Sequence, residues 1–178
     1  QLGIEVTIPE NRWLSSVLWE GISTKNQTGP ILYDSFAGSY TDLQMSGCDS
    51  YFNHYIYNAW QHFGMGMGAP LLPGPAYNKD GSISFRSNRM KALHFGFMGN
   101  PSDEWSWRML LSHARHWGTY SSPLDKVRSQ FSSMAEVAYS PQRFRLWTFK
   151  ASLGLDNGNF LGNSFGGMIG IQLKLDNK

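Results

Sequence analysis

Between Asp49 and Gly64 the chain reads DSYFNHYIYNAWQHFG. Asp49, Tyr51, Asn53, His54, Tyr55, Tyr57, Trp60 and Gln61 place flat aromatic faces beside amide, imidazole and carboxylate groups in one short stretch. That mixture suits carbohydrate, because the C–H faces of a sugar lie against rings while its hydroxyls need fixed donors and acceptors. The same side chains also suit a plainer task, fastening a loop to the surface that carries it. His54 or His62 with Asp49 could form an acid–base pair, which requires the two groups within hydrogen-bond reach. No Ser-His-Asp order with supporting context and no paired carboxylates accompany them. Binding is therefore the expected chemistry, and no catalytic residue is assigned.

Other spacings carry less. His113 and His116 are three apart, so in a strand they face opposite sides and cannot share a metal; no metal or cofactor is expected. FGMGMGAP, with Gly64, Gly66 and Gly68, lacks the lysine and the strand–helix setting of a phosphate loop, and Pro70 and Pro73 follow it. Glycines that permit a tight, extended chain account for it better. Asn26-Gln27-Thr28 matches a glycosylation acceptor only incidentally. Cys48 is the one cysteine, so no internal disulfide can form.

The elements that must hold these residues follow from a period of two. In 147–156, Trp147, Phe149, Ala151, Leu153 and Leu155 alternate with Thr148, Lys150, Ser152, Gly154 and Asp156. In 165–175, Phe165, Gly167, Ile169, Ile171, Leu173 and Leu175 alternate with Gly166, Met168, Gly170, Gln172 and Lys174. Successive side chains of a strand point to opposite faces, so each run has one apolar and one polar face. Similar runs predict strands at 2–8, 13–25, 88–98, 104–117 and 131–139, seven in all. Leu93, Phe95, Phe97, Trp105, Trp107, Met109, Leu111, Phe131, Val137 and Tyr139 are expected outward, with His94, Gly96, Met98, Arg108, Met134 and Glu136 inward.

Short turns at 9–12, 99–104 and 140–145 alternate with longer segments at 26–82, 118–130 and 156–163. This is the alternation of periplasmic turns and extracellular loops in a bacterial outer-membrane barrel. The fold class expected is thus all-β, an antiparallel transmembrane β-barrel, with 1–178 one domain and 26–82 its long extracellular loop region. That region is too long for an ordinary connection and too aromatic for disorder. Barrels of single bacterial chains have an even number of strands. The odd count, the start at Gln1 and the lack of a signal segment lead to the expectation that further strands precede this chain.

Composition fits that setting. Of 178 residues 16% are charged and 15% aromatic, with 7 Trp, 8 Tyr and 11 Phe, against about 25% charge in soluble domains. Mean hydropathy is −0.36, and no run reaches the roughly 18 apolar residues of a membrane helix. A net charge of +2, scattered along the chain, gives no case for nucleic acid.

On the outward side Trp147, Phe149, Leu153, Leu155, Phe165, Ile169, Ile171 and Leu173 would face lipid. Trp105, Trp107, Trp117, Tyr139 and Trp147 near the strand ends would form an interfacial girdle. His113 and Arg115 continue the outward row past Leu111, where they could meet anionic headgroups. Glu5, Arg108, Glu136, Lys150, Asp156 and Lys174 would face the lumen; their mixed signs suit cross-strand pairing, a pore lining being the alternative. A passive pore, an outer-membrane hydrolase and a soluble sandwich are the competing readings.

Four blocks carry a family resemblance: SGCDSYFNHYIYNAWQHFGMGMGAPLL, DGSISFRSNRMKALHFGFMG, SHARHWGTYSSPL and ASLGLDNGNFLGNSFGGMIGI. Their order and spacing, from about Leu14 to Ile171, resemble the C-terminal portion of the capsule assembly Wzi family in its Bacteroidetes branch. The resemblance implies part of a roughly eighteen-stranded barrel in the outer membrane of a Gram-negative bacterium. It implies a lectin-like, non-enzymatic role in holding capsular or other surface polysaccharide. The expected partners are that polysaccharide, outer-membrane lipid and lipopolysaccharide, and the barrel assembly machinery.

Overall fold

A computed structural model of the chain describes residues 1–26, 61–62, 65–66, 71–72, 81, 85–119, 122–144 and 146–174. The described residues are almost entirely extended. In chain order the strands are β1 (Leu2–Thr7), β2 (Ser16–Ser23), β3 (Gln61–His62), β4 (Met65–Gly66), β5 (Arg89–Gly99), β6 (Trp105–Gly118), β7 (Pro123–Tyr139), β8 (Trp147–Gly158) and β9 (Ser164–Leu173). A 3-10 turn, Gln142–Phe144, leads from β7 toward β8. Seven strands form one antiparallel sheet in the order β1-β2-β5-β6-β7-β8-β9, and β3 and β4 form a separate pair. The sheet is not closed: β1 and β9 are its edges.

Period-two patterning sets the register. β8 pairs with β9 from Trp147↔Leu173 to Asp156↔Ser164, and with β7 from Tyr139↔Phe149 to Gln130↔Gly158. Phe149↔Ile171, Ala151↔Ile169 and Leu155↔Phe165 therefore share one face, as do Val137↔Ala151 and Ala135↔Leu153. A slip of one residue would move every side chain to the other face. At the opposite edge Ile4↔Trp19 and Val6↔Val17 lie together, with Glu5↔Leu18 on the reverse side.

The chain divides into two compact units. The first comprises Gln1–Ile22, Ala92–Ala114 and Ser129–Lys178; the second comprises Ser23–Lys91 and Arg115–Arg128. In the first unit a built Cβ on Gly96 would meet Leu18 and Leu110, and one on Gly21 would meet Trp19 and Leu93. Gly99 is needed for close approach: a Cβ there would lie 2.0 Å from Trp13 O and 2.6 Å from Trp107 Nε1. The indole N–H of Trp107 donates to Trp13 O at 2.9 Å, and Asn100 N donates to Arg12 O at 2.7 Å. These bonds fasten the short segment before β2 to β6 and to the residue that follows β5.

The second unit holds the large buried side chains. Leu72, Phe85 and Met90 are buried there with Ser87, Asn88, His116 and Thr119. Gly118 (φ +85) closes β6, a left-handed backbone that suits glycine. Gly118 N donates to Ser87 Oγ, and Thr119 N to Ser122 O.

The segment 118–130 is not the loop expected from its composition. β6 runs to Gly118 and β7 begins at Pro123, so 119–122 alone connect them. PLDKVRSQ lacks apolar–polar alternation because charged Asp125, Lys126 and Arg128 are exposed on both sides. Backbone pairing rather than burial holds it in a strand, and proline is tolerated as the first strand residue. Likewise β8 extends to Gly158, which shortens the third connection to 159–163.

Candidate functional site

The sheet carries two chemically distinct faces, and along β8 their exposure is the reverse of what water selects, while the edge strands β1 and β9 are exposed on both faces. Along β8, Trp147, Phe149, Ala151, Leu153 and Leu155 are exposed, whereas Thr148, Lys150, Ser152, Gly154 and Asp156 are half-buried. Leu153 is 56% exposed and Ile169 88%. Leu2, Ile4, Val6, Leu93, Phe95, Trp105, Met109, Phe131, Val137, Phe165, Ile171 and Leu173 are exposed as well. A ring residue 40% exposed, as Trp147 is, leaves on the order of 80 Å² of its roughly 200 Å² open. A dozen and more such side chains exceed the few hundred Å² of apolar patch that a soluble monomer shows.

All eight residues expected to face lipid lie on this apolar face and are exposed: Trp147, Phe149, Leu153 and Leu155 on β8, and Phe165, Ile169, Ile171 and Leu173 on β9. Parity weakens toward one end of β5, where Met98, expected inward, is exposed. Aromatic rings gather where strands begin and end. Trp105 opens β6 and Tyr139 closes β7, and their rings stack with centroids 4.6 Å apart, an arrangement that adds about 0.5–1.5 kcal/mol to area burial. Trp147 opens β8.

Most of the six charged residues expected inward lie on the polar face. Arg108 and Glu136 form an ion pair, Nε to Oε1 at 3.0 Å, with Nη2 donating to Oε2 at 3.3 Å. Glu5 Oε1 accepts from Ser16 Oγ at 2.8 Å. Asp156 accepts from Ser132 Oγ through one oxygen and from Ser164 Oγ at 3.0 Å through the other. Lys150 stands between Ala138 and Gly170. Lys174 lies one residue past β9, where its backbone N–H donates to Leu146 O. Half-buried Glu136 and Asp156 thus have their charge partnered across strands, as partial burial requires, whereas Glu5, Arg108 and Lys174 are exposed.

The aromatic cluster falls differently. Asp49, Tyr51, Asn53, His54, Tyr55, Tyr57 and Trp60 lie outside the described residues, as do Cys48 and the glycines 64 and 68. Gln61 and His62 form β3, which pairs with β4 as Gln61↔Gly66 and His62↔Met65.

Two buried residues that composition does not single out stand near the described connections. Gln130, 4% exposed, donates through Nε2 to Gly162 O and accepts through Oε1 from Leu161 N, which clamps 159–163 to β7. His116 lies on β6 beyond the last apolar residues of the row, Met109 and Leu111. It is 2% exposed, and burial pushes its imidazole down to about 4, so it is neutral at neutral pH. His113, three residues earlier, is exposed. Among the described residues no group of three or more His, Cys, Asp or Glu side chains converges as a metal would require. No protein-family model matches the chain, and searches of curated proteins and of solved structures find no match.

Proposed function

We propose that this chain is part of the wall of an outer-membrane β-barrel, and that its loop segment 26–82 binds surface polysaccharide. The observation that carries the first half is the exposed apolar face of the seven-stranded sheet, set against a polar face of paired charge. Such a face is stable only against an apolar solvent, and a closed array of strands is one of two ways a chain satisfies its backbone inside a bilayer. The apolar row of β6 from Trp105 to about His113 has the 9–11 residues that a tilted spanning strand needs. Residues 114–118 then project beyond the bilayer. Low charge, the strand-end aromatics and the alternation of short and long connections support the same setting.

The second half rests on the chemistry of Asp49–Gln61 and on the resemblance of the ordered sequence blocks to the capsule assembly Wzi family. Tyr55→Ala, Tyr57→Ala and Trp60→Ala, made in the full chain, test it on a glycan array and in a capsule-retention assay. Loss of stacking is expected to weaken glycan binding at least tenfold, with the protein still present in the outer-membrane fraction. Unchanged glycan binding and capsule retention in the triple variant would remove this loop from the account.

A further inference from the structure

Strand β9 is one edge of the sheet, and every residue of it except Gly170 is exposed. Its pairing with β8 shows which backbone groups are left over. Lys174 N donates to Leu146 O at 2.8 Å, continuing the β8–β9 register. Antiparallel partners exchange such bonds at every second pair, so the even-numbered residues of β9 bond to β8. Phe165, Gly167, Ile169, Ile171 and Leu173 turn their N–H and C=O groups to the free edge, where no described strand meets them. Backbone groups left open in this way are a template for a further strand.

The polar side of this edge carries an unmet charge. Lys150 is half-buried on β8, opposite Gly170. Among the described residues no hydrogen bond or ion pair holds its ammonium, whereas Arg108 is paired with Glu136. Half-burial removes part of the water that compensates a cation, so an anionic partner is favoured. The way from Lys150 to the edge is open, because a Cβ built on Gly170 would meet nothing within 4 Å. Gly170 and Lys150 form a hydrogen-bonded pair, so a residue across the free edge from Gly170 would form a non-hydrogen-bonded one. The two separations add to about 10 Å between Cα atoms. A lysine and a glutamate bridge that gap when the residue between them has no side chain.

The occupant follows from direction and charge. With seven antiparallel strands, β1 and β9 run the same way. A second copy standing the same way up in a bilayer thus offers β9 only parallel pairing, the less stable kind. Turned over, it offers β9 itself, whose polar face holds Ser164, glycines, Met168 and Gln172 but no carboxylate. We propose that the free edge of β9 takes one kind of partner segment, an antiparallel strand that is apolar beside Ile169 and bears a carboxylate across Gly170, paired with Lys150. The inference rests on the reading of the sheet as a lipid-facing wall.

The full chain, with Cys48 replaced, is reconstituted in vesicles with synthetic peptides of about eleven residues, the length of a spanning strand. The peptides alternate valine with threonine and carry glutamate, glutamine or lysine at the central polar position. Single cysteines at 165 or 173 and at one peptide end report, by disulfide trapping, where the peptide lies and in which direction. The glutamate peptide is expected to be trapped antiparallel on β9 and to bind up to about fivefold more tightly than the glutamine peptide, as a cross-strand ion pair allows. Lys150→Gln is expected to remove that preference, and Lys150→Glu to transfer it to the lysine peptide. Gly170→Val is expected to remove it while the glutamine peptide still binds. Equal binding of the three peptides, or an unchanged preference in Lys150→Gln, overturns the carboxylate partner. Parallel trapping, or trapping of β9 on a second copy in place of the peptide, overturns the occupant. Trapping of no peptide overturns the docking edge. A spin label at 153 in the same vesicles reads the wall separately: preference for oxygen over a water-soluble quencher leaves the wall standing when the edge fails, and the reverse preference overturns both.

Discussion

The two units of the chain bury opposite things. In the unit made of Ser23–Lys91 and Arg115–Arg128, the buried positions include Leu72, Phe85 and Met90, with Ser87, Asn88, His116 and Thr119 around them. In the unit containing β8 and β9, the buried side chains are small or polar: Ser16, Ala92, Ala114, Pro141 and Gln130. Its large apolar side chains are exposed on one face. The first arrangement is what water selects. The second is what a sheet adopts when its outer solvent is apolar and its polar face is turned away. One chain thus follows two burial rules, the one that water selects and, in the proposed wall, its reverse.

The largest effect should come from the water-ruled unit. Phe85 is 1% exposed, and Phe85→Ala is expected to cost about 3–5 kcal/mol through lost burial and the cavity left behind. Limited proteolysis should then cut within 85–91 or 115–119 while β8 and β9 stay protected. Simultaneous loss of both regions would mean that the units do not behave as separate stability domains.

Leu153→Arg probes the other rule. In the middle of a lipid-facing strand it is expected to cost about 2–4 kcal/mol, read as the denaturant midpoint of refolding into vesicles. In a soluble sheet, where Leu153 would simply be an exposed leucine, the same change would alter stability by no more than about 0.5 kcal/mol.

The third prediction concerns pH. His116 has its folded pKa pushed below the unfolded value of 6.5, to about 4. The unfolded chain therefore binds more protons between those values, and stability rises with pH through that window. The contribution is complete above about pH 6.5 and is lost as pH falls toward 4, with a ceiling of about 3 kcal/mol. Protease protection of 85–91 and 115–119 is expected to decline over that interval, and His116→Gln is expected to flatten the decline. A decline of equal steepness in the variant would assign the pH response to another group.

How far these regions can be read in the amino-acid order differs for a physical reason. β8 and β9 are legible because apolar and polar residues alternate along them, strictly from Trp147 to Asp156 and, Met168 apart, from Phe165 to Gln172. The first half of β7 is not legible: Leu124, Asp125, Lys126, Val127 and Arg128 have no face that burial could select. The connections at 119–122 and 159–163 are accordingly shorter than composition suggests. Gln130 and His116 look like ordinary polar residues, since nothing in a glutamine or a histidine announces that its neighbours will cover it. The proposed glycan cluster is legible only as chemistry, with rings and hydrogen-bonding groups in one stretch. Its geometry depends on residues whose positions alternation does not constrain.

The central claim, that the apolar face of the sheet meets lipid, is tested most directly by nitroxide accessibility along β8. With Cys48 replaced, single cysteines at 147–156 are spin-labelled in the protein reconstituted in bilayers. Collision with oxygen, which partitions into lipid, is compared with collision with a water-soluble nickel chelate. The account predicts strict alternation, with labels at 147, 149, 151, 153 and 155 favouring oxygen and those at 148, 150, 152, 154 and 156 shielded from it. Odd-numbered labels that collide freely with the nickel chelate would show that this face stands in water, and would contradict the account.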